Sequence, residues 1–446
     1  MTSRQRKAWV TYFGRMIVAI GPDQWAIRPR KSKYKEMHET YVIRRDGNGV
    51  FFCSCPGFTK GTTCKHVEAL EKHLELGPPK GGYQELADDR LMYPQDWRRR
   101  AAADRIMERA VHEILRSAFK KVAPRKTGFG RPPLQIADAA LLVCSRVYSS
   151  KSGADSQCDV QRMFEDGLLV TRNGRDPKAP CESKITKSFR DPQVTKTIRD
   201  ALRETAKTVE ERESIFAADG AEFNTPNRPE PDEAVSEDSA PPELRYPTIK
   251  AHVIVGTRTK ICVGVEITPG KTHDSTQFWN LVEPIRGRFR IKAIAADKAY
   301  FSTEILRYCE RHGIYAAIPP KINTGKGNDS ILAAHARAWS ERTEEEKNLY
   351  GLRQISEAFH SIVKRRMSEN LRSRSRRAQV CELLAMTLVA NAIRLVYLYV
   401  EDPSFEIGFL DARARSVLEP ARESVLHLPV PSKEPKAPGR DLPEAA

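Results

Sequence analysis

The sequence predicts a multidomain α/β protein, and three observations support this interpretation. The chain has 446 residues, which is enough for about two to four domains, each with its own core. Between about residues 215 and 320, apolar runs typical of buried strands alternate with helical stretches. Before them, residues 1–50 alternate short apolar runs with basic and Gly-containing breaks, whereas residues 94–206 have helical periodicity. We therefore expect a mixed sheet with flanking helices, preceded by a helical region and a small β-rich module.

The charge of the chain predicts a polyanionic partner. The formal net charge is +16, and the clustering of Lys and Arg favours nucleic acid over a membrane surface. Composition alone does not separate DNA from RNA.

The sequence predicts neither export nor membrane insertion. The basic start, MTSRQRKAWVTYFG, is not followed by a long apolar run, so it does not resemble a secretory signal. The most apolar segment, Leu383 to Val400, is interrupted by Asn391 and Arg394 and reads as a buried helix. Nine cysteines without an export signal indicate a reducing compartment. We expect a cytoplasmic, nucleoid-associated protein without a membrane partner.

A zinc site is predicted near the start of the chain, where thiols and an imidazole occur in two tight pairs. Cys53 and Cys55 follow the turn signal Asp46-Gly47-Asn48-Gly49, and Cys64 and His66 open a helical run. Two strands followed by a helix would bring these four side chains together as a tetrahedral zinc site. The alternative is a set of reduced cysteines in a small core.

The four predicted ligands resemble the SWIM-type zinc finger, whose Cys-x-Cys and Cys-x-His pairs are matched at all four positions. The resemblance covers about residues 35–80. It implies an adaptor that binds nucleic acid or protein, because no coordination position is left for catalysis.

The region between this module and the sheet is predicted to be helical. WRRRAAADRIMERAVHEILRSAFKKV has one apolar face, formed by Ile106, Ala110, Ile114 and Phe119. Several shorter helices are expected from Ile136 to about Ala206. They form either a DNA-reading helix-turn-helix or a subdomain that only packs.

Two aspartates are predicted to lie at the ends of buried strands. One apolar run ends at Asp219, and a later one, FRIKAIAAD, ends at Asp297. Between them lies an acidic, Pro-rich segment, Pro226 to Arg245, which we expect to form a flexible loop. Acidic residues at strand ends are held rigidly at a sheet edge, where ligand sites of α/β folds lie.

A third carboxylate is predicted on the stretch YGLRQISEAFHSIVKRRMSENLRSRSRR, from Tyr350 to Arg377. It lacks Gly and Pro after Gly351, so we expect one helix of about seven turns. On that helix Tyr350, Arg353, Glu357 and Lys364 would form one stripe. The alternative is a solvated charged face.

Three converging carboxylates indicate phosphodiester chemistry. Two Mg²⁺ ions about 3.5–4 Å apart can activate a water or a 3′-hydroxyl and stabilise the leaving oxygen. Asp219 would bridge both ions, while Asp297 and Glu357 would each hold one of them. Lys298, Lys364 and Arg365 would neutralise phosphate charge nearby.

These residues resemble the DDE transposases of bacterial insertion sequences. The Tyr-x2-Arg-x3-Glu-x6-Lys signature of that group is matched by Tyr350, Arg353, Glu357 and Lys364. Further similar motifs are Asp219-Gly-Ala-Glu-Phe223, Ala296-Asp297-Lys298-Ala299-Tyr300, His273-Asp274-Ser275 and Gly130-Arg131-Pro132-Pro133. The resemblance spans about residues 128–400.

The resemblance implies an RNase H-like catalytic domain that depends on Mg²⁺ or Mn²⁺. Asp219, Asp297 and Glu357 would be the metal-binding triad, and Tyr350, Arg353 and Lys364 would contact transposon-end DNA. The implied activity is cleavage at the ends of an insertion sequence and joining to target DNA. A homo-oligomer is expected, because two ends must be processed together. A domesticated DNA-binding protein without activity, or a nuclease of the same fold, are the alternatives.

The predicted domains follow from these assignments. Residues 1–90 form the zinc-finger module, residues 91–206 the helical, DNA-binding region, and residues 207–402 the catalytic domain. Residues 403–446 are a C-terminal extension that we expect to be disordered from about residue 428.

Overall fold

The structure is a computed structural model in which the described residues form two compact units, Met1–Gln95 and Asp96–Ala446. It describes residues 17–27, 41–47, 49–55, 58, 64–76, 97–124, 134–151, 155–169, 179–226, 248–322, 324 and 330–426. Residues 227–245 of the predicted acidic loop and the tail predicted from about residue 428 lie outside these ranges.

The first unit contains a four-stranded antiparallel sheet followed by a helix. Its elements are β1 Ile17–Gly21, β2 Gln24–Ile27, β3 Tyr41–Arg45, β4 Phe51–Cys53 and α1 Lys65–Leu76. Each strand pairs with the next in the order β1-β2-β3-β4. Between β3 and β4 the Asp46 carboxylate accepts a hydrogen bond from the Val50 N–H at 2.8 Å, and Gly49 has a φ of +82°. The predicted turn and the two strands before the helix are therefore confirmed, with two further strands ahead of them.

The second unit contains a five-stranded mixed sheet in the order β7-β6-β5-β8-β9. Its strands are β5 Ile215–Asn224, β6 Thr248–Gly256, β7 Cys262–Pro269, β8 Ala293–Ala296 and β9 Tyr315–Ala317. Strands β5, β6 and β7 are antiparallel neighbours, whereas β8 runs parallel to both β5 and β9. Three antiparallel strands extended by two parallel ones form the predicted RNase H-like sheet.

Helices precede, connect and follow these strands. They are α2 Trp97–Val122, α3 Ile136–Ser149, α4 Gln157–Glu165, α5 Glu182–Ser188, α6 Pro192–Lys207, α7 Phe278–Arg286, α8 Thr303–Arg311, α9 Ile331–Ser340, α10 Glu344–Gly351, α11 Gln354–Arg366, α12 Arg376–Glu401 and α13 Ala412–Leu426. The helices predicted over residues 94–122 and 136–206 are thus confirmed. Two 3₁₀ turns, Asp274–Gln277 and Lys298–Tyr300, lie beside the sheet.

Helix α12 forms the centre of the second unit. It packs against α2, α3, α6 and β7, and 89% of its most apolar 18-residue window is buried. Among the described helices it alone is long and apolar enough to cross a membrane, but its surroundings are protein. Its Asn391 amide donates to Thr205 and to the Cys262 carbonyl and accepts from the Cys262 N–H, so its polar atoms are satisfied. The sequence-based interpretation as a buried helix is confirmed.

The prediction of one helix from Tyr350 to Arg377 is wrong. Helix α10 ends at Gly351, α11 ends at Arg366, and α12 begins only at Arg376. After α11 the chain pairs with the end of β5: the Asn224 N–H donates to the Glu369 carbonyl, and the Leu371 N–H donates to the Asn224 carbonyl, both at 2.9 Å. Those backbone groups would otherwise make helical hydrogen bonds, so tertiary pairing overrides local helix propensity.

The predicted end of the first strand at Asp219 is also wrong. Strand β5 continues for five residues beyond it, to Asn224, because Asp219 to Asn224 still pair with β6. The parallel partner β8, by contrast, reaches only to the level of Ala218.

Candidate active site

Two of the three predicted acids are neighbours at one sheet edge. The parallel register pairs Ala218 of β5 with Ala296 of β8, so the following residues, Asp219 and Asp297, stand side by side. Neighbouring strands are about 4.8 Å apart. The Asp297 carboxylate also accepts a hydrogen bond from the Ala299 N–H, which fixes it at the start of a 3₁₀ turn. Asp219 therefore lies level with the carboxyl end of β8, even though its own strand, β5, continues beyond it.

The third acid, Glu357, is in the first turn of α11, and this helix packs on β5 and β6. His360, one turn later, is buried, and burial lowers its pKa to about 4 while the Asp219 backbone opposes that shift. Helix α11 therefore lies against the strand that carries Asp219. The Glu357 side chain remains 48% exposed and forms an ion pair with Arg353.

The predicted stripe is present although it spans two helices. Tyr350 lies on α10, and the Arg353 guanidinium is 5.8 Å from the centre of its ring. Lys364 lies on α11 with its Nζ 5.1 Å from the centre of the Phe223 ring, on β5. Arg365 is exposed, and its Nε donates to the Ser361 carbonyl at 3.2 Å.

Electrostatic interactions connect Asp219 with Glu357, and Asp219 and Asp297 both act on Tyr300. Burial, together with the negative charges of Asp274 and Glu357, raises the pKa of Asp219 to about 6, against the opposing effects of the Gly220 N–H and Arg353. The phenol of Tyr300 is fully buried, and burial and the charges of Asp274, Asp219 and Asp297 raise its pKa. Its hydroxyl lacks a hydrogen-bond partner among the described residues. A desolvated carboxylate next to other negative charges is the setting that a divalent cation stabilises.

A fourth carboxylate, Asp274, belongs to this cluster and was not assigned a role by the sequence analysis. Its Oδ1 lies 2.9 Å from both Lys250 Nζ and His252 Nδ1, and His252 is fully buried. His252 Nε2 lies 2.8 Å from the Thr268 hydroxyl. Although burial opposes it, the contacts with His252 and Lys250 hold the pKa of Asp274 below its ordinary value. The polar residues at 250 and 252 in the otherwise apolar strand β6 were the available sequence signal.

The glycine after Asp219 is required by the close approach of Asp274. A Cβ at Gly220 would lie 2.1 Å from Asp274 Oδ1 and 2.6 Å from Lys250 Cε. We expect Gly220→Ala to lower the free energy of unfolding by about 1–3 kcal/mol through overpacking and to lower any strand cleavage at least about tenfold, since either β5 or the Asp274 and Lys250 side chains must shift next to Asp219.

The matched control is Gly287→Ala, because no atom of the described residues lies within 4 Å of a Cβ there. Urea unfolding of both variants measures the difference. Equal stability of the two would contradict the close approach at Gly220.

A cavity of about 470 Å³ opens beside Asp297. His273, Asp297, Lys298, Ala299, Lys321 and Ile322 line it. Lys298, predicted to contact DNA, is thus exposed at the sheet edge that carries the acids.

The predicted zinc ligands come together in the first unit. Cys53, Cys55, Cys64 and His66 are buried, and their ligand atoms all lie within 4.8 Å of one another. His66 Nδ1 is 3.8 Å from the Cys53 Sγ and 3.9 Å from the Cys64 Sγ. A tetrahedral zinc with Zn–S of about 2.3 Å and Zn–N of about 2.0 Å places such atoms about 3.5 Å apart, so the set fits zinc with Nδ1 as the histidine ligand.

Models of known protein families match a part of each unit. Residues 210–392 match the family model described as the transposase DDE domain, and residues 52–75 match the model of the SWIM zinc finger. No curated protein sequence matches the chain. Among solved structures, the chain is similar to one titled "Cryo-EM structure of piggyBac transposase synaptic complex with hairpin DNA". The two are 12% identical, with a TM-score of 0.34, over 74% of this chain and 82% of that chain.

Proposed function

We propose that the chain, whose residues 210–392 match the transposase DDE domain and whose residues 52–75 match the SWIM zinc finger, cuts DNA at the ends of an insertion sequence and joins the ends to target DNA. The proposal is supported by the links between Asp219 and each of the other two predicted acids. Asp219 and Asp297 continue the β5–β8 register, and the charge of Glu357 acts on Asp219.

The acids suit a divalent cation. Asp219 is buried beside Asp274 and Glu357, while Asp274 already forms an ion pair with Lys250 and contacts His252. We therefore assign Asp219, Asp297 and Glu357, but not Asp274, as ligands of Mg²⁺ or Mn²⁺. Bound ions of this kind activate the attacking oxygen and stabilise the leaving oxygen at a phosphodiester.

The cations around the acids have separate roles in this proposal. Arg353 pairs with Glu357 and so orients that carboxylate toward Asp219. Tyr350, Lys364, Arg365 and Lys298 contact the DNA backbone and hold it against the acids. The positive charges of Lys364, Arg365 and Lys298 also stabilise the negative charge that develops on the phosphate oxygens.

The remaining features concern partners and location. The zinc finger would tether the enzyme to DNA or to a second protein, since its four ligands fill the coordination of zinc. Two chains or more would act together, because both ends of an element must be cut and joined in one complex. Such an enzyme would work at the nucleoid.

The test is a strand-transfer assay on the terminal sequences that flank the gene. With Mg²⁺, the chain is expected to nick the end duplex and to join a pre-cut 3′ end to plasmid DNA. Omitting the divalent ion should abolish both products. Product length on a sequencing gel identifies the cut phosphodiester.

The outcomes separate the alternatives. Cleavage without joining of the pre-cut end would identify a nuclease of the same fold. Tight binding of the end duplex without any product in Mg²⁺ or Mn²⁺ would identify a DNA-binding protein that no longer cuts.

A further inference from the structure

The lining of the cavity beside Asp297 includes Lys321 and His273, to which the proposed catalytic mechanism gives no role. The cavity volume of about 470 Å³ falls in the range of about 300–1,000 Å³ typical of small-ligand pockets. It is therefore large enough for a phosphate together with its sugar. Lys298 and Lys321 are both exposed on its rim.

These two lysines differ from Lys250 on β6 and from Lys121 on α2. Lys250 and Lys121 pair with carboxylates, at 2.9 Å and 2.7 Å. No ion pair within the described ranges involves Lys298 or Lys321. Two like charges that line one cavity without forming an ion pair repel each other, and the one carboxylate in the lining, Asp297, offsets only part of their charge, so an anionic ligand relieves that repulsion.

His273 adds a hydrogen-bond donor to the same cavity. Its Nδ1 accepts from the Ser275 N–H at 3.4 Å and lies 2.7 Å from the Ser275 hydroxyl. With Nδ1 used as an acceptor, the ring hydrogen is on Nε2, which is free to donate to a phosphate oxygen.

The cavity lies next to Asp219 and Asp297 along the carboxyl ends of the parallel strands. Strands β5, β8 and β9 are parallel and adjacent, so their carboxyl ends meet the same edge in the order Asp219, Asp297 and the segment that leads to Lys321. Strand spacing is about 4.8 Å. A DNA strand that crosses this edge therefore passes from the carboxylates to the cations within the length of about one or two nucleotides.

We propose that this cavity is a phosphate-binding subsite for DNA, in which Lys321, Lys298 and His273 hold a phosphate neighbouring the one that is cut. The proposal rests on the proposed function of the acids. It assigns binding roles to Lys321 and His273, and it sets the direction in which the strand crosses the sheet, from β5 toward β9.

The experiment combines Lys321→Ala with neutral methylphosphonate linkages placed singly on either side of the cut position of the end duplex. The variant should bind the unmodified duplex about tenfold more weakly. The slope of the logarithm of its binding constant against the logarithm of the salt concentration should fall in magnitude by about one. At one linkage position, the methylphosphonate should weaken DNA binding by the wild-type chain by a similar factor. At that position it should not weaken binding by the Lys321→Ala variant any further, because the contact between Lys321 and the phosphate is already absent.

Lys196→Ala is the matched control, since Lys196 is 77% exposed and pairs with Asp200 in the same unit. It should behave like the wild-type chain on every duplex. Lys321 is exposed, and equal melting temperatures of the three chains would verify that folding is retained.

Different results would refute the phosphate subsite and the proposed function. If the losses from Lys321→Ala and from the methylphosphonate add at every position, no phosphate binds at Lys321 and the subsite is refuted, even if the wild-type chain cleaves. If the wild-type chain neither binds nor cuts the end duplex, the proposed function itself fails.

Discussion

Replacing Asp219 by Asn is expected to abolish strand cleavage, by at least about 10³-fold, while binding of the end duplex is retained. The side chain keeps its shape but loses the negative charge that a divalent cation requires, and such a cation contributes several kcal/mol to the transition state. Glu357→Gln should have a comparable effect. Gel-based cleavage in Mg²⁺ and fluorescence anisotropy without a divalent ion measure the two quantities separately.

The free energy of unfolding of Asp219→Asn, compared with that of the wild-type chain, provides an independent test of the role of this carboxylate. Because burial and the charges of Asp274 and Glu357 raise the pKa of Asp219 to about 6, the unfolded chain loses this proton at lower pH than the folded chain. The wild-type chain in EDTA should therefore lose stability relative to Asp219→Asn as pH rises from about 4 to 6. Above that range the variant should stay about 1–3 kcal/mol more stable. Urea unfolding across that pH range checks the sign.

Glu222→Gln serves as the control, because Glu222 is an exposed acid on the same strand whose carboxylate accepts from Thr248 at 2.9 Å. It should cleave like the wild-type chain. Wild-type cleavage by Asp219→Asn would refute the assignment of the acids. A variant that is inactive but also markedly less stable would mean that Asp219 serves the fold.

The parts of the fold that the sequence predicted are those with strong local patterns. The buried strands β6 and β8, the amphipathic helix α2 and the apolar helix α12 are each encoded by a continuous run of residues. The zinc ligands were predictable for the same reason, since their spacing within fourteen positions is itself local. The structure brings their ligand atoms within 4.8 Å of one another.

The sequence-based predictions were wrong where segments far apart in the sequence determine the local structure. The break after Arg366 comes from backbone pairing with Asn224, which lies more than 140 positions earlier. The length of β5 beyond Asp219 is set by β6, which follows the long acidic segment. No local pattern contains this information.

The same reasoning applies to the cluster around Asp274. It joins a residue before α7 to two residues of β6, and it explains Gly220 by a contact rather than by a turn. A sequence pattern marks Asp-Gly as a turn signal, whereas here both residues lie inside a strand. The role of the glycine became visible only from the packing.

Loss of zinc is expected to unfold the first unit and leave the second intact. Among the described residues of the first unit, ten form the buried core, and three of these are the thiols Cys53, Cys55 and Cys64, so a large part of that core consists of the predicted metal ligands. Structural zinc contributes an apparent free energy of about 10–16 kcal/mol in small zinc domains. We expect Cys64→Ser to reduce zinc from about one ion per chain to almost none and to remove amide protection in β2, β3 and α1. Elemental analysis and hydrogen exchange measure both effects.

Cys158→Ser is the matched control, since Cys158 is an exposed thiol in the second unit. It should retain zinc and the full exchange pattern. Helix α12 should stay protected in both variants, because its core lies within the second unit. Freshly purified wild-type chain without zinc, or a Cys64→Ser chain that keeps its metal, would contradict the predicted site. If zinc is lost but the amide protection of the first unit persists, the apolar core rather than the metal stabilises it.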